Sequence, residues 1–186
     1  GVAVASNLAS IAGEVADGWS TGAFHAAFTM PAADRDPYRS DTEVAGEIVK
    51  ALGTALQFTR NAELTPALGE TADEARGKRA PLWRSDLTFT LFGARLDGLR
   101  ELLAATGFDE DPTVAPYVGS LDFELSHARR ALDAIAAPAE NAFSDPDDRA
   151  RLVYVAIALH GANETTGGSL SGALGLTMGF NALDGD

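Results

Sequence analysis

Val114-Ala115-Pro116-Tyr117-Val118-Gly119-Ser120-Leu121-Asp122-Phe123-Glu124-Leu125-Ser126-His127-Ala128-Arg129-Arg130-Ala131-Leu132-Asp133-Ala134-Ile135 decides the fold class. Val114, Val118, Leu121, Leu125, Ala128, Leu132 and Ile135 follow one another at alternating steps of 4 and 3. That spacing lays all seven on one side of a helix and makes a bundle seam. Pro112 stands before the run and Pro138 closes it, where helix boundaries belong. Working outward, four more stretches share the helical period. Phe92, Leu96, Leu99 and Leu103 stripe a helix from about Leu82 to Ala105, with Gly107 as its stop. The alternation Leu87-Thr88-Phe89-Thr90-Leu91 would suit a short strand, but it sits inside that helical period, so a helix is expected. Ser144-Asp145-Pro146-Asp147-Asp148 opens a helix running to about Leu170, with acids in the first turn where the helix dipole favours them. Val44, Ile48, Leu52, Ala55 and Leu56 stripe a helix from about Thr42 to Leu64, begun by Asp41-Thr42-Glu43. Val4, Leu8, Ile11, Val15 and Trp19 stripe a first helix from about Val4 to Phe28.

The linkers are polar or carry Pro and Gly: Pro31 to Ser40, Pro66 to Pro81, Gly107 to Pro112, and Pro138 to Pro146. Helix count and linker length together predict an all-α protein, an antiparallel up-down bundle of four helices with a fifth packed beside it.

Composition bounds the function. The chain has 186 residues, with 14 Lys and Arg against 27 Asp and Glu, for a net charge of −13. Nucleic-acid backbones require clustered cations, so no nucleic-acid partner is expected, and charge-driven docking on anionic lipid is disfavoured. Cys is absent, which removes disulfides, thiolate metal sites and cysteine nucleophiles. No run of apolar residues is long enough for a transmembrane helix. The opening Gly1-Val2-Ala3-Val4-Ala5-Ser6 lacks the basic region of a signal peptide, a helix cap and an initiator Met. It reads as a helix already under way, and so as part of a longer precursor.

The fifth helix holds the first candidate site. Val153, Ile157, His160 and Glu164 step by 4, 3 and 4, so the stripe turns polar halfway along. If that stripe faces the core, His160 and Glu164 lie one turn apart on a buried face, joined by Asn163, Thr165 and Thr166. Two readings follow: a polar pocket for a metal or small anion at one end of the bundle, or a helix emerging into solvent there. Three His without Cys make a dedicated zinc site improbable, and His160 with Glu164 does not match a zinc-peptidase helix. The acid clusters at Asp109-Glu110-Asp111 and Asp145 to Asp148 sit where helix caps belong, whereas Asp184-Gly185-Asp186 lies in a tail with no structural duty. Trp83-Arg84-Ser85-Asp86 is the second candidate, since a guanidinium and a hydroxyl beside Trp suit an anion or a carboxylate. Ser85 lacks the context of a serine nucleophile.

At the C-terminal side, an alanine-rich helix leads to Leu174-Gly175-Leu176 and then to Gly179-Phe180-Asn181-Ala182-Leu183-Asp184-Gly185-Asp186. Together with Trp83-Arg84-Ser85, Gly107-Phe108, Tyr38-Arg39-Ser40 and Pro66-Ala67-Leu68-Gly69, this resembles the imelysin-like family over nearly the whole chain, as the later half of its domain. The resemblance implies a bacterial protein, periplasmic or a membrane-anchored lipoprotein, and linked to iron uptake or iron response. It implies a fold of two packed helical bundles with a site at their interface, so the partner of residues 1–186 would be an upstream bundle. It also implies, for some members, a metallopeptidase activity resting on a Gly-x-His-x-x-Glu motif in the earlier half. No His-x-x-Glu occurs here, so no catalytic residue is assigned. Trp83, Arg84, Ser85, Phe180, Asn181, Asp184, Gly185 and Asp186 match the family's motif positions. Trp83, Arg84, Ser85, His160, Glu164, Phe180, Asn181, Asp184 and Asp186 form the expected ligand or interface pocket, for iron, another divalent metal or a metal-bearing ligand, with Arg84 paired to a tail carboxylate. Three functions follow: a binding module, a metallopeptidase whose metal ligands lie upstream, or a structural interaction bundle.

Overall fold

The computed structural model describes residues 2–176, and among them every regular element is helical. The expected tail residues Phe180, Asn181, Asp184 and Asp186 lie outside the described residues. The chain divides into two units, Gly1–Ile48 and Val49–Asp186.

In the first unit α1 spans Val2–Ser20 and α2 spans Ala23–Thr29, where the sequence suggested one helix. The chain breaks at Gly22, where an added Cβ would stand 3.1 Å from the Gly18 carbonyl oxygen. A larger residue there would have to push that carbonyl back by a few tenths of an ångström. Trp19, Phe24, Phe28 and Tyr38 gather edge-on, with ring centroids 4.7–6.1 Å apart along the Trp19–Phe24, Trp19–Phe28, Phe24–Tyr38 and Phe28–Tyr38 pairs. No residue of α1 is buried; the stripe Val4, Leu8, Ile11, Val15 is exposed along its length. Ser40 and Glu43 cap the next helix reciprocally: the Glu43 N–H donates to Ser40 Oγ, and the Arg39 N–H donates to Glu43 Oε2 at 2.7 Å.

That helix, α3 (Asp41–Gln57), begins in the first unit and ends in the second. It runs on through a π-helical segment, Phe58–Leu64, into α4 (Thr65–Leu68). Pro66 explains the widening. It has no N–H to give to Ala62, and its ring crowds that carbonyl. The ladder therefore shifts, and the Thr65 N–H donates to the Arg60 carbonyl five residues back. Then come α5 (Thr88–Ala105), α6 (Ala115–Asp133), the short α7 (Ala139–Ala142) and α8 (Pro146–Glu164), which continues through a second π-helical segment (Thr165–Leu170) into α9 (Ser171–Ala173).

Side-chain bonds fix the directions of the four long arms. Arg100 pairs with Asp122 and Arg129 with Asp97, so α5 and α6 are antiparallel. Asp148, at the start of α8, accepts the N–H of Ala137 just past the end of α6 at 3.0 Å, closing an α6–α8 hairpin. Arg60 Nε donates to the Ala156 carbonyl, and Gly53 faces Asn163, so the α3 arm runs antiparallel to α8. Arg95 forms an ion pair with Glu63 of the first π segment. The core between these arms holds Leu52, Leu56, Leu64, Phe92, Leu96, Leu103, Leu121, Leu125, Leu132, Leu152, Leu159 and Leu170, all nearly inaccessible. Each such side chain contributes about 1.5–3 kcal/mol when fully withdrawn from water.

Two expectations need correction. The helix foreseen from Leu82 begins at Thr88 instead. Leu82 and Asp86 adopt left-handed backbone conformations, φ 55° and 54°, around a 3-10 turn at Trp83–Ser85, and Thr88 Oγ1 donates to the Pro81 carbonyl at 2.6 Å to close it. The stripe foreseen as the buried face of α8 faces outward: Ile157 is 64% exposed, Val153 is exposed, and so are His160 and Glu164. The buried face is the neighbouring one, Leu152, Val155, Leu159, Ala162 and Leu170. Both sets have helical spacing; the one with the longer run of large apolar side chains reaches the core.

Candidate functional site

A cleft of about 290 Å³ opens between the end of α3 and the start of the second π-helical segment. Lys50, Gly53 and Gln57 form one wall; Asn163, Glu164, Thr166, Gly167 and Gly168 form the other. The α3 side chains recur at steps of 3 and 4 and so share one helix face. On the other wall, Gly167 and Gly168 supply no side chain, and the wide π turn keeps the backbone within reach of a ligand. Such π insertions recur at functional sites. Thr166 is buried and donates its hydroxyl to the Ala162 carbonyl at 2.8 Å, which anchors the turn. Gly53 faces Asn163 across the cleft: a Cβ there would make ordinary contact with Asn163 Oδ1 at 3.6 Å. The lining therefore offers one ammonium, one carboxylate and two carboxamides around a backbone floor. That set suits a small polar ligand with both donor and acceptor groups.

Of the residues expected at a site, the structure brings Glu164 to this cleft, along with Asn163 and Thr166. His160 is exposed on α8 and does not line it. Trp83, Arg84 and Ser85 lie elsewhere, at the other end of the second unit. There the Arg149 guanidinium, in the first turn of α8, binds the carbonyls of Leu68, Gly69 and Phe143. Arg84 stacks on Trp83 with its Cζ 4.5 Å from the ring centroid, and Ser85 Oγ donates to the Leu82 carbonyl. Lys50, Gly53 and Gln57 were not legible as site residues, because nothing in a helix sequence says which partner its face will meet.

The acid clusters cap turns, as expected. Asp145 Oδ1 accepts the N–H groups of Asp147 and Asp148. Asp111 Oδ1 accepts both the N–H and the hydroxyl of Thr113, and these bonds hold its carboxyl below the usual aspartate range.

The family model described as Imelysin, peptidase M75, matches residues 1–165 of the 186. The chain belongs to the imelysin family. No curated protein and no solved structure matches this imelysin chain. The matched residues include the cleft up to Glu164 and the Trp83 turn, and they stop before the tail whose motif first suggested the resemblance. A resident metal finds no seat in the described part of the imelysin fold: among the described residues no three His, Asp or Glu converge. His127, for one, is held by its own helix, with Nδ1 2.8 Å from the Phe123 carbonyl oxygen. Among the described residues no helix is long and apolar enough to cross a membrane.

Proposed function

We propose that this imelysin-family chain is a binding module of an exported protein concerned with iron, and that its cleft takes a small polar ligand carrying the metal as cargo. The observation that supports this reading is the mixed lining of the cleft. Glu164 is a hard oxygen donor suited to completing the coordination of a ferric or divalent ion, while Lys50 and the Gln57 and Asn163 amides suit the anionic groups of a chelator. A chelate brings most of its own ligands, so one protein carboxylate suffices where a bare ion would need three or more. An upstream bundle of the same protein would complete the site, as in the two-bundle arrangement the family resemblance implies.

Calorimetric titration with ferric citrate, citrate alone and ferric ion alone tests the reading. Ferric citrate should bind, citrate should bind more weakly, and Glu164→Gln should bring the two affinities together. Equal affinity for citrate and ferric citrate in the unaltered chain would overturn the metal-cargo reading. A second reading has support in the family's own designation as a peptidase: a metallopeptidase whose ligands lie outside the described residues. Metal-dependent cleavage of an unfolded casein substrate by the protein would favour it over the binding module.

A further inference from the structure

Residues 69–87 join α4 to α5 as a strap at the end of the second unit where α8 begins. Its backbone is fixed along its length. Arg149, in the first turn of α8, binds the carbonyls of Leu68 and Gly69 where the strap starts. Gly77 lies against α7 so closely that an added Cβ would meet the Ala139 carbonyl oxygen. Lys78 pairs with Glu140 at 2.7 Å, and the Thr88 hydroxyl closes the far end on the Pro81 carbonyl.

From this base the strap turns outward a set of side chains that the fold does not use. Leu82 and Leu87 are 49% and 46% exposed. Trp83 is half-buried, with Lys78 at 5.4 Å and Arg84 at 4.5 Å from its ring. Arg79 and Arg84 are exposed and make no ion pair or hydrogen bond among the described residues; the tail carboxylates expected for Arg84 lie outside those residues. Residues 75–85 carry four cations, Arg76, Lys78, Arg79 and Arg84, and no acid, with Asp86 next in sequence. Elsewhere no stretch of that length holds more than two cations. In a chain of net charge −13 this is a local reversal of sign.

The backbone adds a second argument. Leu82 stands at φ 55°, a left-handed conformation in which its Cβ crowds the following carbonyl and which glycine adopts freely. Its exposed side chain gains little burial in return. Strain without a packing return gathers at recognition sites. Trp and Arg beside exposed leucines are the composition of an interface hot spot, and stacking orders the Arg84–Trp83 pair before a partner arrives, which lowers the entropy lost on binding.

We propose that the strap docks an acidic segment of another protein, with carboxylates on Arg79 and Arg84 and an aliphatic or aromatic side chain on Leu82, Trp83 and Leu87. Charge complementarity selects this occupant. An anionic bilayer would accept the same leucines and cations, but an extended surface faces the acidic remainder of the molecule as well. A short segment meets only the field of the strap, since charges beyond about 8–10 Å are screened.

The probe is a fluorescein-labelled decapeptide with four carboxylates around a Leu-Phe pair, beside a twin with amides in their place. Both are titrated into the full chain at about 0.05 M and 0.5 M salt, because ionic pairs weaken as screening grows. At low salt the acidic peptide should bind about tenfold or more tighter than its twin, and the gap should narrow at high salt. Arg84→Glu should weaken it about tenfold or more, as repulsion replaces attraction, and Arg79→Glu should act in the same direction, with helical circular dichroism unchanged in both. Leu82→Gly separates recognition from folding. It relaxes the backbone and removes an exposed contact, so the thermal midpoint should hold or rise while affinity for the acidic peptide falls. A lower midpoint with unchanged affinity would assign Leu82 to the fold and overturn the proposal. So would equal binding of the two peptides, or binding of neither. Self-association abolished by Arg84→Glu would overturn it in favour of a second copy. Arg84-dependent capture by phosphatidylglycerol vesicles without peptide binding would do so in favour of lipid, and peptide binding seen only after removal of residues 177–186 in favour of the chain's own tail. Ferric citrate binding at the cleft should be unaffected by Arg84→Glu, so the strap and the cleft fail separately.

Discussion

Asp148 illustrates what a single residue does here that its sequence context does not announce. It stands in a run of acids that reads as a helix cap, and Asp145 does perform the capping. Asp148 instead turns inward, nearly inaccessible, and accepts the Ala137 N–H and a guanidinium N–H of Arg151. Replacing it with Ala leaves backbone donors without a partner, which should destabilise the fold by about 1–3 kcal/mol in denaturant unfolding. Asp111 offers a test against pH. Its folded carboxyl lies below the ordinary aspartate range because Thr113 donates to it twice. A lowered folded value means the contribution is complete above the unfolded aspartate pKa near 4 and disappears as pH falls through the folded value. Asp111→Ala should therefore be less stable than the parent at neutral pH, and the difference should close under strong acid. Equal midpoints at pH 7 would sink that expectation. The Asp111 cap was legible because it acts within three residues of its own position. The duty of Asp148 was not, because its backbone partners are 11 and 12 residues away across a turn.

At the scale of elements, the arms differ in how far periodicity alone reads them. The seam of α6 is buried from Val114 to Leu132 as expected, and so is the Phe92–Leu103 stripe of α5. In α8 two candidate stripes compete, and the aliphatic one takes the core while His160 and Glu164 face water. The two π-helical segments escaped the sequence because a period of 3.6 carries no mark of a locally wider turn, although Pro66 and Gly167-Gly168 are the residues that permit it. Gly119 in α6 and Gly161 in α8 have open space where a Cβ would go. Gly119→Ala and Gly161→Ala should each stabilise by about 0.5–1 kcal/mol through helix propensity, read as a raised thermal midpoint. Gly77→Ala should do the reverse. The Ala139 carbonyl oxygen that the new Cβ would meet is backbone and cannot step aside, so a loss of about 2 kcal/mol or more is expected, with loosened protection of the amides of residues 74–80 in hydrogen exchange.

For the whole molecule, the arms after Val49 contain their own core, with Leu56, Phe92, Leu125 and Leu159 packed among them. Residues 41–186, cut to keep α3 whole, should fold alone with a cooperative helical melt. A broad, non-cooperative transition would show that this core is not self-sufficient.

The sequence by itself determined that the protein is helical, roughly where most helices start and stop, and its family, since these rest on spacing, proline, glycine and capping residues acting within a few positions. Only the tertiary structure decided which face of α8 is wet, and that Lys50 and Gln57 meet Glu164 across one cleft. Those are meetings between distant segments. Periodicity says that a helix has an apolar side, but the partner that side meets is chosen by packing, where burying the larger aliphatic surface outweighs a second stripe of equal period.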